Sequence, residues 1–235
     1  MKACVFYRGP SRLDGAPVVA IATAGSTNRK TGSMVQTWIL RASVDPVRAV
    51  QTGRDASVCG DCVHRGVGGV RTCYVNVGQA PLSVWRAWRR GVYPRADLVD
   101  LVRANPDLPV RCGSYGDPAA VPWPVWRDAR DARSWTGYTH QWRRPDVQPL
   151  RTMLMASCDS LSDMADAARM GWRTFRVQAL HELDKQVPVR EVTCPSVTHG
   201  TQCARCSLCR GSSIGAPSIR IPVHGTTARF FGVTP

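Results

Sequence analysis

The sequence contains no apolar run that approaches the roughly 20 residues of a membrane-spanning helix. The most apolar stretch near the N-terminus covers residues 16–25 and follows a charged segment at residues 8–15. A signal peptide begins with a basic segment, followed by a longer apolar run and a cleavage site of small residues, and we find no such pattern. We therefore expect a cytoplasmic protein without a membrane partner.

Lysine is scarce, so the formal net charge of +14 is carried almost entirely by arginine. Heavy use of arginine, alanine and valine is typical of a GC-rich genome, and the basic residues are scattered except for small clusters at 86–91 and 141–146. A basic protein is nevertheless attracted to phosphate groups, because binding releases counterions. The charge therefore leaves contact with a nucleic acid open as a hypothesis.

The cysteines are not spread along the chain, as they would be in a disulfide framework. Of the ten cysteines, most fall in two tight groups, and the rest are isolated. In a reducing cytoplasm, such grouping indicates metal ligands. The three-cysteine group consists of Cys59, Cys62 and Cys73. The four-cysteine group consists of Cys194, Cys203, Cys206 and Cys209. The isolated cysteines are Cys4, Cys112 and Cys158.

The four-cysteine group has the spacing C-x8-C-x2-C-x2-C. A run of C-x2-C-x2-C suits three corners of a 4Fe-4S cubane, as in ferredoxin-type sites, and Cys194 supplies the fourth ligand. The same four thiolates can also close a tetrahedral zinc site. The spacing favours iron–sulfur over zinc but does not decide between them.

The three-cysteine group has the spacing C-x2-C-x10-C and is one thiolate short of a closed site. His64, two residues after Cys62, is placed to be a fourth ligand of a structural zinc ion. Alternatively, three thiolates leave one iron of a 4Fe-4S cluster open to a substrate or to S-adenosylmethionine, which is typical of a catalytic cluster. We expect the second arrangement and keep the zinc site as the alternative.

The order of predicted strands and helices indicates the fold class. Apolar, β-branched strands are predicted at 17–23 and 33–42, and from residue 108 onward apolar runs alternate with helices such as those predicted at 124–134 and 160–171. Such alternation is typical of βα units and a largely parallel sheet. The chain is shorter than the about 250 residues of a complete barrel. We predict an α/β fold, an incomplete TIM-like barrel of βα units with two cysteine-rich metal-binding segments.

Polar residues follow most of the predicted parallel strands, where such folds build their active sites. A histidine there can move a proton near neutral pH, and an arginine can hold a carboxylate or phosphate. The candidate catalytic residues are Tyr115, Asp117, His140, Asp159 and Arg176.

We expect a single domain over residues 1–235, divided into four segments. These are an N-terminal β-rich segment at 1–58, a first cysteine loop at 59–81, a βα-repeat core at 82–193, and a C-terminal cysteine-rich segment with the last strand at 194–235.

A resemblance to a known group of proteins covers most of the chain. It is carried by the segments 59–81, 110–118, 137–142, 155–160 and 171–177, and by Tyr74 directly after Cys73. The chain resembles uncharacterised bacteriophage and mobile-element proteins with radical S-adenosylmethionine-like organisation. The resemblance implies a partial TIM barrel that holds a 4Fe-4S cluster, with S-adenosylmethionine as cosubstrate and, for a phage protein, the host cytoplasm as its location.

Three functions are consistent with these patterns. The first is an iron–sulfur enzyme whose three-cysteine group holds a catalytic cluster and whose four-cysteine group holds a second site, acting on an unknown small-molecule or nucleic-acid substrate. The second is a zinc-stabilised, basic nucleic-acid-binding protein without catalytic activity, in which some of the eight tryptophans stack on bases. The third is a structural or regulatory phage protein whose metal only shapes a partner-binding surface.

Overall fold

The computed structural model describes residues 1–66, 71–178, 189–213, 215–225 and 227–230. These residues form a mixed α/β structure, and the predicted α/β class is confirmed. Its strands are β1 (Ala3–Pro10), β2 (Pro17–Thr23), β3 (Val35–Arg41), β4 (Val110–Tyr115), β5 (Trp135–Thr139), β6 (Met155–Cys158), β7 (Thr174–Gln178), β8 (Glu191–Thr193) and β9 (Ser218–Pro222).

The strands form one nine-stranded sheet in the order β1-β2-β3-β4-β5-β6-β7-β9-β8. The first three strands pair antiparallel, and every later pair, from β3–β4 to β9–β8, is parallel. Strands β1 and β8 are the two edges, so the described part of the sheet is open and is not closed into a barrel. The carboxyl ends of the parallel strands therefore lie along one edge of the sheet.

The described helices are short, and none of them is long and apolar enough to cross a membrane. The longest, α3, begins with a proline in its first turn, which is compatible with helix geometry because the first N–H groups have no helical partner. The helices are α1 (Pro46–Gln51), α2 (Ala56–Cys59), α3 (Ala80–Arg89), α4 (Leu98–Arg103), α5 (Trp123–Trp126), α6 (Leu161–Arg169), α7 (Pro195–Thr198) and α8 (Cys203–Cys206).

The predicted regular repeat of βα units is confirmed only in part. Strand β6 is joined to β7 by the single helix α6, as expected. The predicted helix at 124–134 is instead the one-turn α5 followed by a 3-10 turn at Arg127–Asp131, and β5 is joined to β6 by a 3-10 segment at Pro145–Thr152. Prolines at the start and inside of that segment remove N–H donors and prevent a regular α-helix.

Helix α6 shows how closely local sequence sets a helix boundary here. The Ser160 side chain accepts a hydrogen bond from the Asp163 backbone N–H at 3.0 Å and caps the first turn. Met164 and Ala167 face the core, and Gly171 follows with a positive φ of 78°. The helix predicted at 160–171, with its serine cap and terminal glycine, is confirmed.

The core is built on central strands, of which β2 and β6 are buried over most or all of their length. The central residues of β2, Val18 to Ala22, are completely buried, as expected for a strand covered on both faces. Trp126 and Trp142 are also buried, and their indole N–H groups donate to the carbonyls of Pro118 and Ser157 at 2.9 and 3.1 Å. The isolated cysteines lie in this core and are apolar packing residues, namely Cys4, Cys112 and Cys158.

Gly116 allows the chain to turn tightly after β4. Its φ is +84°, and a Cβ atom there would lie 2.7 Å from the Ile39 Cβ and 2.8 Å from the Ile39 carbonyl oxygen. Gly25 has a similar φ of +82°, but no atom would lie within 4 Å of its Cβ. Alanine at either position would therefore strain the backbone, but only alanine at position 116 would also overlap with neighbouring atoms.

We predict that Gly116→Ala destabilises the protein more than Gly25→Ala. Both substitutions place alanine in the left-handed region, which costs about 1 kcal/mol. Only Gly116→Ala also forces the new methyl group against β3, which adds about 1–3 kcal/mol. Urea denaturation of both variants measures the difference in the free energy of unfolding, and equal losses would contradict the tight turn.

Candidate functional site

A cavity of about 410 Å³ is lined by both cysteine groups. Every cysteine of the three-cysteine and four-cysteine groups contributes to its wall, whereas none of the isolated cysteines does. Residues at the carboxyl ends of β4 and β5 line it as well, which is where open parallel sheets place their ligands. The cysteines that are grouped in the sequence therefore line the cavity, and those that are isolated in the sequence do not.

One face of the sheet forms the apolar part of this cavity. Phe175 and Val177 on β7, and Ile219 and Ile221 on β9, are alternate residues of their strands and therefore share a face. Tyr138 on β5 joins them, with its ring centroid 4.1 Å from that of Phe175. The cavity therefore combines an apolar floor with a rim of thiols and polar groups, which is the usual composition of a ligand site.

The three-cysteine group is assembled by a loop that doubles back on itself. The Cys73 backbone N–H donates to the His64 carbonyl at 3.0 Å, so Cys73 returns to the first two cysteines despite the ten-residue spacer. Over this loop, the Thr227 hydroxyl donates to the Thr72 carbonyl at 3.0 Å. The hydrogen bonds explain how widely spaced cysteines reach one wall of the cavity.

Arg65 holds the start of this loop. Its guanidinium donates to the carbonyls of Gly60 and Gly53 at 2.6 and 2.8 Å and to the Asp55 carboxylate at 2.8 Å. The two charged side chains are only 11% and 3% exposed. A planar guanidinium can donate to several acceptors at once through its fixed fork of N–H groups, and a lysine ammonium has no such fork. The ion pair fixes the backbone on both sides of Cys59.

The four-cysteine group is docked on the connection between β2 and β3. The backbone N–H groups of Cys203 and Ala204 donate to the carbonyls of Lys30 and Thr31 at 3.2 and 2.9 Å. Ser207, directly after α8, has a φ of 50°, and this left-handed turn reverses the chain between Cys206 and Cys209. A non-glycine residue in this conformation costs about 1–2 kcal/mol and often marks a functional site.

The thiols of each group oppose one another's ionisation. Burial raises the pKa of Cys59 well above its usual value, and the neighbouring Cys62 and Cys73 raise it further. Burial also raises the pKa of Cys203, and it raises that of Cys209 to about 12. Several thiolates can persist side by side only when a bound cation balances their charge. Without a bound cation, burial and the neighbouring thiols therefore favour the neutral form of these cysteines.

The candidate residues Tyr115 and Asp117 line the same cavity. The Asp117 carboxylate accepts hydrogen bonds from the backbone N–H groups of Ala119 and His140 at 2.9 and 2.8 Å, so it fixes the chain at the end of β5. The Tyr115 hydroxyl is buried and has no hydrogen-bond partner among the described residues. A buried hydroxyl without a partner, on a residue that lines a cavity, is a group that a ligand could satisfy.

The candidate residues His140 and Asp159 lie together with His64. The His140 Nε2 is 3.7 Å from the Cys62 Sγ and 3.4 Å from the Asp159 Oδ2. Burial opposes the charged imidazolium, but Cys62 and Asp159 outweigh it and raise the pKa of His140 well above its usual value. Burial opposes the Asp159 carboxylate too, yet its hydrogen bonds with both histidines hold its pKa far below the usual range.

The position of Arg176 differs from that of the other candidates. Its guanidinium donates to the Glu191 carboxylate at 2.8 Å, and the two side chains are 4% and 0% exposed. The residue lies on β7 between Phe175 and Val177 and therefore on the opposite face of the sheet from the cavity. The structure gives Arg176 a role in joining β7 to β8 and does not bring it to the site.

Sequence reasoning missed Arg111, which lines the cavity from near the start of β4. Its guanidinium donates to the Tyr74 hydroxyl at 2.5 Å. Tyr74 follows Cys73. Burial opposes the charge of Arg111, but the nearby Tyr74, Tyr138 and Cys203 outweigh it and raise the pKa of Arg111, so this arginine lies between the two cysteine groups. An arginine within an otherwise apolar strand is a signal that could have found it.

We predict that Asp55→Asn lowers the free energy of unfolding by about 3 kcal/mol, because the substitution leaves the buried Arg65 charge without its partner. The matched control is Asp131→Asn, which breaks the pair between Arg103 and Asp131, whose side chains are 70% and 43% exposed. That control should cost less than about 1 kcal/mol. Urea denaturation measures the free energy of unfolding of both variants. Similar small losses in the two variants would show that the Arg65–Asp55 ion pair does not anchor the first cysteine loop.

Comparisons of the chain with protein-family profiles, with curated proteins and with solved structures found no match. Its function must therefore be argued from the cavity and the residues around it.

Proposed function

We propose that this protein is an iron–sulfur metalloprotein and a radical S-adenosylmethionine-like enzyme. Cys59, Cys62 and Cys73 would hold a catalytic 4Fe-4S cluster, and the four-cysteine group would hold a second cluster. The observation that carries this proposal is that every grouped cysteine lines one cavity of about 410 Å³, at the carboxyl ends of parallel strands. A cavity of that size is within the range of small-molecule sites.

The spacing of the thiols supports iron–sulfur over zinc. Thiolates around a tetrahedral zinc ion lie about 3.8 Å apart, given Zn–S bonds of about 2.3 Å. Among the described residues, no three cysteine sulfurs lie within 4.8 Å of one another. A cubane cluster bonds each thiolate to a different iron and so holds the sulfurs farther apart. Thiols that lie farther apart than 4.8 Å would have to move together to share one zinc ion, whereas a cubane accepts a wider spacing.

Three thiolates leave one iron of a 4Fe-4S cluster without a protein ligand. When bound there, S-adenosylmethionine would supply radical chemistry. The chain's own contribution would be to position the substrate: the Tyr115 hydroxyl offers an unpaired buried hydrogen-bonding group, and Arg111 offers a charge for a carboxylate or phosphate. Asp117 would keep His140 in place through its backbone N–H.

We also propose that the open sheet is an incomplete TIM-like barrel. Two features support this: the parallel order from β3 to β8, and a cavity lined by alternate residues of β5, β7 and β9, as in a barrel interior. The proposed enzyme would act in the cytoplasm, or in that of the host if a phage encodes it. Its substrate would be a small molecule or a nucleic acid.

The alternative, a zinc-stabilised nucleic-acid-binding protein, has less support from the structure. All eight tryptophans lie in the described part of the chain, and none of them is exposed. Trp85 and Trp88 pack against each other on α3, and the Trp85 indole donates to the Arg41 carbonyl at 2.9 Å. Base stacking needs an accessible aromatic face. Spectroscopy and metal analysis separate the two functions directly.

We predict that protein purified without oxygen is brown, absorbs broadly near ~400 nm, and contains iron and sulfide. Cys73→Ala should lower the iron content from about eight to about four atoms per chain, because it removes a ligand of one cluster only. The matched control is Cys112→Ala, which removes a cysteine from the core and should leave the iron content unchanged. Iron and sulfide assays on both variants make the measurement.

Two results would contradict the proposal. A colourless protein with stoichiometric zinc would support the zinc-stabilised alternative. Loss of all iron in Cys73→Ala, with native circular dichroism, would show that the two cysteine groups do not hold separate clusters.

A further inference from the structure

Three side chains from separate parts of the chain meet beside the three-cysteine group. His64 lies in the 3-10 turn Val63–Arg65, His140 follows β5, and Asp159 follows β6. One ligand atom from each lies within 4.8 Å of the other two. Among the described residues, this is the one such set of three metal-ligating groups.

The distances within this set are close to those between ligands of one metal ion. The His64 Nε2 is 2.9 Å from the Asp159 Oδ1, and the His140 Nε2 is 3.4 Å from the Asp159 Oδ2. Nitrogen and oxygen ligands bound at about 2.1 Å in tetrahedral geometry lie about 3.4 Å apart. The side chains need little movement to bind a shared ion.

The surroundings supply the outer contacts that metal ligands usually have. A metal-bound histidine commonly uses its second ring nitrogen in a hydrogen bond that fixes the ring. The His64 Nδ1 is 2.8 Å from the Thr72 hydroxyl, and the Asp159 backbone N–H donates to the Asp163 carboxylate at 3.1 Å. The Asp117 carboxylate holds the His140 backbone N–H at 2.8 Å. Each of the three ligands is thus positioned by a neighbour.

We propose that His64, His140 and Asp159 bind a divalent transition-metal ion. Two imidazoles and one carboxylate are ligands typical of zinc and of non-haem iron(II) sites that keep open positions. The side chains are 15%, 20% and 24% exposed, so the site is enclosed yet reachable by an ion. Both histidines line the cavity, and the ion would therefore lie in its wall.

This site is independent of the proposed iron–sulfur function, because its ligands are nitrogen and oxygen atoms rather than thiolates. His64, which the sequence suggested as a fourth ligand of the three-cysteine group, is directed to Thr72 and Asp159 instead. The Cys62 Sγ lies 3.7 Å from the His140 Nε2, so the two metal sites would be neighbours.

Manganese(II) is a suitable probe, because carboxylate-containing sites accept it whereas thiolates prefer softer metals. The full-length protein is first treated with a chelator to remove exchangeable divalent ions. It is then titrated with Mn²⁺, and free Mn²⁺ is followed by electron paramagnetic resonance. We expect one Mn²⁺ bound per wild-type chain. Asp159→Asn and His64→Gln should each weaken binding at least tenfold, because each removes a ligand.

The controls are His199→Gln and Asp146→Asn, which alter a histidine and a carboxylate outside this set. Both should bind Mn²⁺ as the wild type does. Cys59→Ser should also retain Mn²⁺ binding even if it loses iron, so failure of the iron–sulfur proposal and failure of this one give different results. Loss of Mn²⁺ binding in Cys59→Ser would overturn the independence of the two sites.

A second measurement covers variants that fold poorly. Mn²⁺ should raise the midpoint of thermal unfolding of the wild type but not of Asp159→Asn or His64→Gln, because only a protein that binds the ion in its native state is stabilised by it. The proposal would be overturned if the wild type and both ligand variants bound Mn²⁺ with equal affinity, or if the wild type did not bind Mn²⁺ stoichiometrically. His64, Asp159 and His140 would then be a hydrogen-bonded set without a metal ion.

Discussion

The parallel pairing from β3 to β8 is the constraint on which the candidate site depends. Parallel strands bring all their carboxyl ends to one edge of the sheet, so residues far apart in sequence meet there. Asp117 after β4, His140 after β5 and Asp159 after β6 become neighbours in this way. An antiparallel sheet of the same length would divide these residues between two edges. The cysteine loops then need only reach this edge to share one cavity.

Both cysteine loops are fixed by contacts that do not involve their sulfur atoms. Arg65 binds carbonyls on either side of Cys59, and the backbone of Cys203 is bound to Lys30. The entropy of ordering these loops is therefore offset partly by buried hydrogen bonds rather than wholly by ligand binding. Loops ordered in this way can present their thiols to the cavity before any ligand binds.

The sequence predicted the elements whose signals are local and missed features that depend on long-range contacts. Helix α6 carries its own serine cap and terminal glycine, so its bounds followed from the sequence. The helix predicted at 124–134 instead formed only the one-turn α5 and the 3-10 turn at Arg127–Asp131. Two arginines illustrate the second case. Arg176 and Arg111 both lie on strands, and only the pleat decides that Arg111 lines the cavity while Arg176 meets Glu191. No local pattern distinguishes those two arginines.

The arginine-rich composition has a structural explanation that differs from nucleic-acid binding. Arg65, Arg71 and Arg173 each donate to two or more groups, mainly backbone carbonyls of the irregular segments around the cavity. Such carbonyls lack partners in a ladder or helix, and a planar guanidinium can satisfy several at once, whereas an ammonium group lacks that fixed fork. A chain that builds its site from loops needs such donors. Part of the +14 charge is therefore used inside the fold, and net charge alone is a weak argument for a nucleic-acid partner.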